Sequence, residues 1–251
     1  GGRAINEFDT VSGGVGHTEN FSCNYTSSFN GTSSSAPILS GAVTLMLEAN
    51  NTLNWRDVKH ILASTAVQVD STIADTVLSI NGINHISEPR WLTNGAGYKF
   101  HNYYGFGGVD VASAVAAAKS YVSGSMGAFG TSVNKSGAVN LTIPNNSAAG
   151  LLNTITVNEE RTIESIQLQV NITHESSGVL AIEVTSPSMT KSVLMTPLNV
   201  FGASNDLTDM VMLSNAFYGE PSNGDWTIKV VDPLVGNAGQ LNDWQIKVFG
   251  H

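Results

Sequence analysis

The sequence predicts two kinds of structure in one chain: a helix-bearing first half, then an all-β second half built as a sandwich or jelly roll. Three observations predict it. Helical spacing of apolar residues, with start signals, dominates up to about residue 130. A Gly/Ser-rich stretch, Val122 to Gly137, then interrupts the pattern and reads as a linker. Beyond it, apolar and polar residues alternate in short runs separated by turn clusters.

The elements follow in order. Ala36 to Asn50, APILSGAVTLMLEAN, is apolar on nearly all sides and predicts a buried helix, with Pro37 tolerated in its first turn. Asn54 is placed to cap a second helix running to about Thr65, whose stripe is Val58, Ile61 and Leu62. Gly95, Gly97, Gly105, Gly107 and Gly108 mark turns, and an Ala-rich third helix spans Asp110 to Tyr121. Strands are predicted at Thr162–Ile172, Val179–Val184, Trp226–Val231 and Trp244–Phe249. Trp55, Trp91, Trp226 and Trp244 are expected to be core or interface residues rather than a sugar-binding stack.

Composition excludes several function classes. The 251 residues carry 11 Lys+Arg against 20 Asp+Glu, a formal charge of −9, so no basic face is available for nucleic acid. No apolar run reaches the ~20 residues that span a bilayer. A lone cysteine, Cys23, excludes a disulfide scaffold within this chain. Richness in Asn, Ser, Thr and Gly leans towards an extracellular setting. His60, His85, His101, His174 and His251 show no metal-ligand spacing.

The most informative stretch is Asn30-Gly31-Thr32-Ser33-Ser34-Ser35-Ala36-Pro37. A Gly-Thr-Ser turn entering a helix presents Ser33 where free backbone N–H groups and the positive dipole end stabilise an oxyanion. Serine is a weak nucleophile and needs a base beside it. On local pattern alone a helix cap is the ordinary explanation, and three successive serines offer several.

The surrounding residues change that balance. The run GTSSSAPILSGAVTLMLEANNTLNWRDVKHILASTA, Gly31 to Ala66, resembles the serine motif of subtilisin-like serine proteases of the kexin/furin-related branch. Tyr103-Tyr104-Gly105-Phe106-Gly107-Gly108-Val109-Asp110, preceded by Thr93-Asn94-Gly95-Ala96-Gly97, is similar to the turn that closes the catalytic domain there. The β-rich part, through GVLAIEVTSP, GDWTIKV and GQLNDW, resembles the P domain that follows it. The resemblance implies an α/β plus all-β fold: residues 1–125 as the C-terminal part of a subtilisin-like catalytic domain, 126–138 as a linker, and 139–251 as a P-domain β-sandwich.

It also implies a secreted serine endopeptidase acting on protein or peptide through an acyl-enzyme on Ser33, with Thr32 and Gly31 shaping the oxyanion turn. The family's triad runs Asp, His, Ser. Asp9 and His17 lack the expected neighbours and spacing. The triad Asp and His are therefore expected from an N-terminal part of the same protease, as a separate chain or as sequence lost from a fragment, and this chain alone is expected to be inactive. Cys23 reads either as a small buried hydrophobe or as a disulfide partner of that part. Asp206 and Asp209, beside Asn205, form a compact acidic loop that would offer oxygens to a structural Ca²⁺, a solvated turn being the alternative. The competing functional readings are a non-catalytic adhesion or carbohydrate-binding module and an inactive protease fragment.

Overall fold

The structure is a computed structural model in which residues 31–199, 206–236 and 238–251 are described. Three α-helices occur among them: α1 (Thr32–Ala49), α2 (Trp55–Thr65) and α3 (Val111–Ser120). The chain forms two compact units, one of residues up to Leu53 with Val111–Tyr121, the other of Asn54–Asp110 with Val122–His251.

In the first unit α1 packs on α3. Ala42 and Met46 of α1 and Ala114 and Ala118 of α3 are buried, and the small alanines allow close approach. The Asn50 side chain donates to the carbonyls of Ala118 and Tyr121, each at 3.0 Å, tying the C-terminal ends of both helices together. Two expectations change here. The helix starts at Thr32, so Pro37 lies in its second turn, where it has no N–H to give the Ser33 carbonyl. And α1 is not buried all round: Ile38 is 72% exposed, with Leu39, Leu45 and Leu47 also exposed.

In the second unit α2 opens on a complete capping box. The Asn54 side chain accepts from Arg56 and Asp57 N–H, and the Asp57 carboxylate accepts from Asn54 N–H. Two small hairpins follow, β1 (Thr76–Ile80) with β2 (Ile83–Glu88), and β3 (Leu92–Thr93) with β4 (Lys99–Phe100).

The sandwich is made of β5 (Gly130–Lys135), β6 (Leu141–Ile143), β7 (Leu151–Val157), β8 (Ile163–His174), β9 (Ala181–Thr185), β10 (Lys191–Met195), β11 (Leu207–Ser214), β12 (Gly224–Val231) and β13 (Gly239–Gly250). Its antiparallel pairs are nested: β9 with β10, β8 with β11, β7 with β12, and β5 with β13 outermost. Further pairing of β8 with β13 and of β9 with β12 rolls this long hairpin into two sheets, β11-β8-β13-β5 and β10-β9-β12-β7. That is the jelly-roll arrangement. Alternation along β8 sends Ile166, Leu168, Val170 and Ile172 inwards, against Ile182, Val184, Ile228 and Trp226. Trp226 and Trp244 are fully buried, their indole N–H groups satisfied by Ser222 O at 2.8 Å and Asn153 Oδ1 at 2.7 Å.

The stretch expected as a linker, 126–138, contains β5. Its residues GTSVNK are mostly polar and hold their place through backbone pairing with β13 rather than through an apolar face.

Candidate active site

Gly31 precedes α1 with φ +90°, a backbone conformation that favours glycine, and a Cβ there would meet nothing within 4 Å. Conformation rather than crowding therefore demands this glycine. The Gly31 carbonyl then gathers the first turn. It accepts Ser34 N–H at 3.0 Å and Ser35 N–H at 3.2 Å. It also accepts the hydroxyls of Ser34 at 2.7 Å and Ser35 at 3.3 Å.

This geometry separates three serines that local sequence cannot. Ser34 is buried and turned back on Gly31, as is the Ser35 hydroxyl. Ser33 is exposed, and among the described residues neither its hydroxyl nor its N–H has a hydrogen-bond partner. Thr32, also exposed, supplies the first N–H of the helix. The Thr32 and Ser33 N–H groups, without a hydrogen-bond partner among the described residues at the positive end of an 18-residue helix, can polarise a carbonyl oxygen whose carbon the Ser33 hydroxyl attacks. Asp9, His17 and Cys23 lie outside the described residues.

Asp206 and Asp209 are engaged by different partners. Asp206 Oδ1 accepts from His174 N–H at 2.9 Å. Asp209 Oδ1 accepts from the side chains of Gln169 at 2.6 Å and Asn171 at 3.4 Å. Among the described residues no three His, Cys, Asp or Glu side chains are grouped to hold a metal, and Asn205 lies outside them.

The residues that sequence reasoning missed are buried polar ones within the second unit. Glu164 of β8, 2% exposed, receives Arg56 Nε and Nη2 and lies 3.0 Å from His251 Nδ1. Burial works to raise its carboxyl, but the hydrogen bonds and charges of Arg56 and His251 hold it below the usual carboxylate range. Lys59 Nζ donates to the Glu164 carbonyl at 2.8 Å and to Asn215 Oδ1 at 2.9 Å. Glu220 is fully buried and accepts from Gly95 N–H at 2.7 Å, from the Ser186 hydroxyl at 2.7 Å and from the Thr190 hydroxyl. Asn94 donates to the carbonyls of Ala216 and Tyr218 and accepts from Ala96 and Tyr98 N–H, using all four of its hydrogen-bonding positions. Through these groups the 54–110 segment is anchored on the sandwich. The one sequence signal was Asn94-Gly95, already in a matching motif; the acids gave none.

Comparison with known proteins agrees with this anatomy. Residues 8–107 match the Subtilase family model, and residues 163–248 match the Proprotein convertase P-domain model. The extracellular serine protease of Aeromonas sobria is 30% identical over 285 residues, covering 92% of this chain and 43% of that protein. The microbial serine proteinase of Aeromonas salmonicida is 32% identical over 239 residues, 86% of this chain and 38% of its own length. Kexin of Saccharomyces cerevisiae is 28% identical over 255 residues, 96% of this chain and 29% of kexin. The crystal structure of the Aeromonas sobria serine protease with its chaperone superposes with a TM-score of 0.85 at 26% identity, over 94% of this chain and 47% of that one. The chain thus spans less than half the length of these relatives. With a subtilase segment leading into a P domain, the chain belongs to the kexin-like branch of the subtilisin-like serine proteases.

Proposed function

We propose that Ser33 is the nucleophile of a secreted serine endopeptidase, and that the triad Asp and His are carried by the part of the protein corresponding to the rest of its relatives' length. The observation that carries this is the exposed Ser33 hydroxyl at the head of α1, without a hydrogen-bond partner among the described residues, beside two serines that are tied back. In the assembled enzyme the Ser33 hydroxyl adds to the scissile carbonyl while its proton passes to the His. The Ser33 N–H donates to the oxyanion. Collapse transfers that proton to the leaving amine and leaves an acyl-serine, which water hydrolyses. Gly31 and Thr32 hold the turn open to substrate. The extracellular relative from Aeromonas sobria supports secretion.

Fluorophosphonate labelling tests the proposal. The chain joined to its N-terminal part is expected to label at Ser33 and to hydrolyse peptide substrates; the chain alone is expected to do neither. Labelling that persists in Ser33→Ala, or rapid peptide hydrolysis by the isolated chain that Ser33→Ala leaves intact, overturns it.

A further inference from the structure

The β1–β2 hairpin lies on the outer face of the four-stranded sheet, where Ile80 packs with Ala148, Ala181 and Val231. Beside that contact is a cleft of about 510 Å³, within the size range of small-molecule sites. Ile83, Leu92, Ala148, Met189 and Val193 give it apolar walls. Ile83 is 60% and Met189 79% exposed, so its mouth is apolar too.

Four polar side chains line the same cleft: His85, Glu183, Lys191 and Lys229. Glu183 is 2% exposed, with Lys191 Nζ 3.3 Å from its Oε2 and His85 Nδ1 3.6 Å from its Oε1. Lys191 is thus the nearest cation to that carboxylate, while Oε2 itself accepts no hydrogen bond among the described residues. Lys229 stands opposite Glu183 in the sheet register and makes no ion pair among the described residues. His85 is 4% exposed and its Nε2 is buried without a hydrogen-bond partner. Buried polar atoms are nearly always paired, so an unpaired one lining an apolar cleft marks a missing partner. Burial holds the imidazole below its usual pKa; Glu183 works against this, and Lys229 and Lys191 reinforce it.

One unmatched ammonium, one unpartnered imidazole nitrogen and apolar walls define a ligand. We infer that the cleft binds an apolar monocarboxylate. Its hydrocarbon part lies against Ile83, Leu92 and Met189. Its carboxylate accepts from Lys229 Nζ and from His85 Nε2–H, the imidazole taking up a proton as the anion binds so that Nδ1–H faces Glu183 Oε1. An uncharged apolar molecule would leave Lys229 and His85 Nε2 unsatisfied. The shared chemistry has two sources, a free short-chain fatty acid or the C-terminal residue of a peptide.

The test is titration of the whole chain with hexanoate, hexanamide and N-acetyl-glycyl-leucine, followed by calorimetry and by the His85 Cε1–H proton resonance. Hexanoate is expected to saturate and to move that resonance, and hexanamide to bind about ten-fold more weakly or worse. Lys229→Met keeps the apolar stem and is expected to weaken hexanoate about ten-fold without changing the melting temperature. Tighter binding of N-acetyl-glycyl-leucine than of hexanoate assigns a peptide C-terminus, and the reverse order a fatty acid. Equal affinity for acid and amide, an unmoved His85 resonance, or undiminished binding by Lys229→Met overturns the inference.

Discussion

The first turn of α1 and the anchor between the 54–110 segment and the sandwich treat polar groups in opposite ways. In the anchor, Asn94 has all four hydrogen-bonding positions filled, Glu220 accepts three times and Glu164 lies under Arg56 and His251. At the head of α1 the Ser33 hydroxyl and N–H have no partner among the described residues. A polar group removed from water costs free energy unless it is paired, so complete pairing signals a structural role. An exposed hydroxyl that no described group holds is available for chemistry.

The sharpest way to break this comparison is Ser33→Ala in the complete protease. Activity is expected to fall by roughly 10⁴-fold or more. Stability is expected to stay within about 0.5 kcal/mol, because no described partner is lost. Peptide hydrolysis and urea unfolding of the same samples check both halves. A stability loss equal to that of an anchor variant would erase the distinction.

Arg56→Ala comes next, with its effect on stability. It leaves the buried Glu164 carboxylate with His251 as its one remaining described partner, and breaking buried pairs costs about 3–5 kcal/mol, the lower end being expected here. The pH dependence gives the sign. Glu164 is held below its usual pKa in the fold. Its contribution is therefore present above the unfolded value near 4.5 and fades as pH falls through the folded one. In Arg56→Ala burial acts unopposed by that guanidinium, so the gap between the two proteins is expected to be widest at pH 7 and to narrow below about pH 4. Urea midpoints from pH 7 to pH 3 measure it. A gap that widens on acidification would show that Arg56 does not act through this carboxylate.

Asn94→Ala is smaller. It removes the donors to the buried Ala216 and Tyr218 carbonyls, for about 2–3 kcal/mol in chemical denaturation. A loss below about 0.5 kcal/mol would mean that water replaces the amide and the anchor is not sealed.

How much of this was legible follows from where the deciding contact lies in sequence. β8 and β13 read clearly because a sheet with one buried face alternates residue by residue. α2 read clearly because Asn54 and Asp57 make its cap within four residues. β5 was read as linker because its backbone pairing with β13 joins residues more than a hundred apart, and GTSVNK has no apolar stripe to announce it. Glu164 was invisible for the same reason, since Arg56 lies 108 residues away. The sequence predicts α1 from Ala36, with Pro37 in the first turn; the helix starts at Thr32 and accepts Pro37 one turn further in. The local pattern offers three equal serines, the family resemblance alone points to Ser33, and in the structure the hydrogen bonds to Gly31 set Ser34 and Ser35 apart from it.

That last distinction gives the smallest effect and the cleanest contrast. Ser34→Ala removes a 2.7 Å bond to the Gly31 carbonyl in the first turn, a loss of about 0.5–1 kcal/mol by hydrogen-bond removal. Ser33→Ala removes no described bond. In the complete enzyme Ser34→Ala is expected to keep most of its fluorophosphonate labelling while melting slightly earlier, and Ser33→Ala to do the reverse. The double variant is expected to melt with Ser34→Ala, because two hydroxyls without a shared partner act independently. If Ser33→Ala instead lowers the melting temperature as much as Ser34→Ala, then its hydroxyl is a cap like its neighbours. The turn would then hold three caps and no nucleophile.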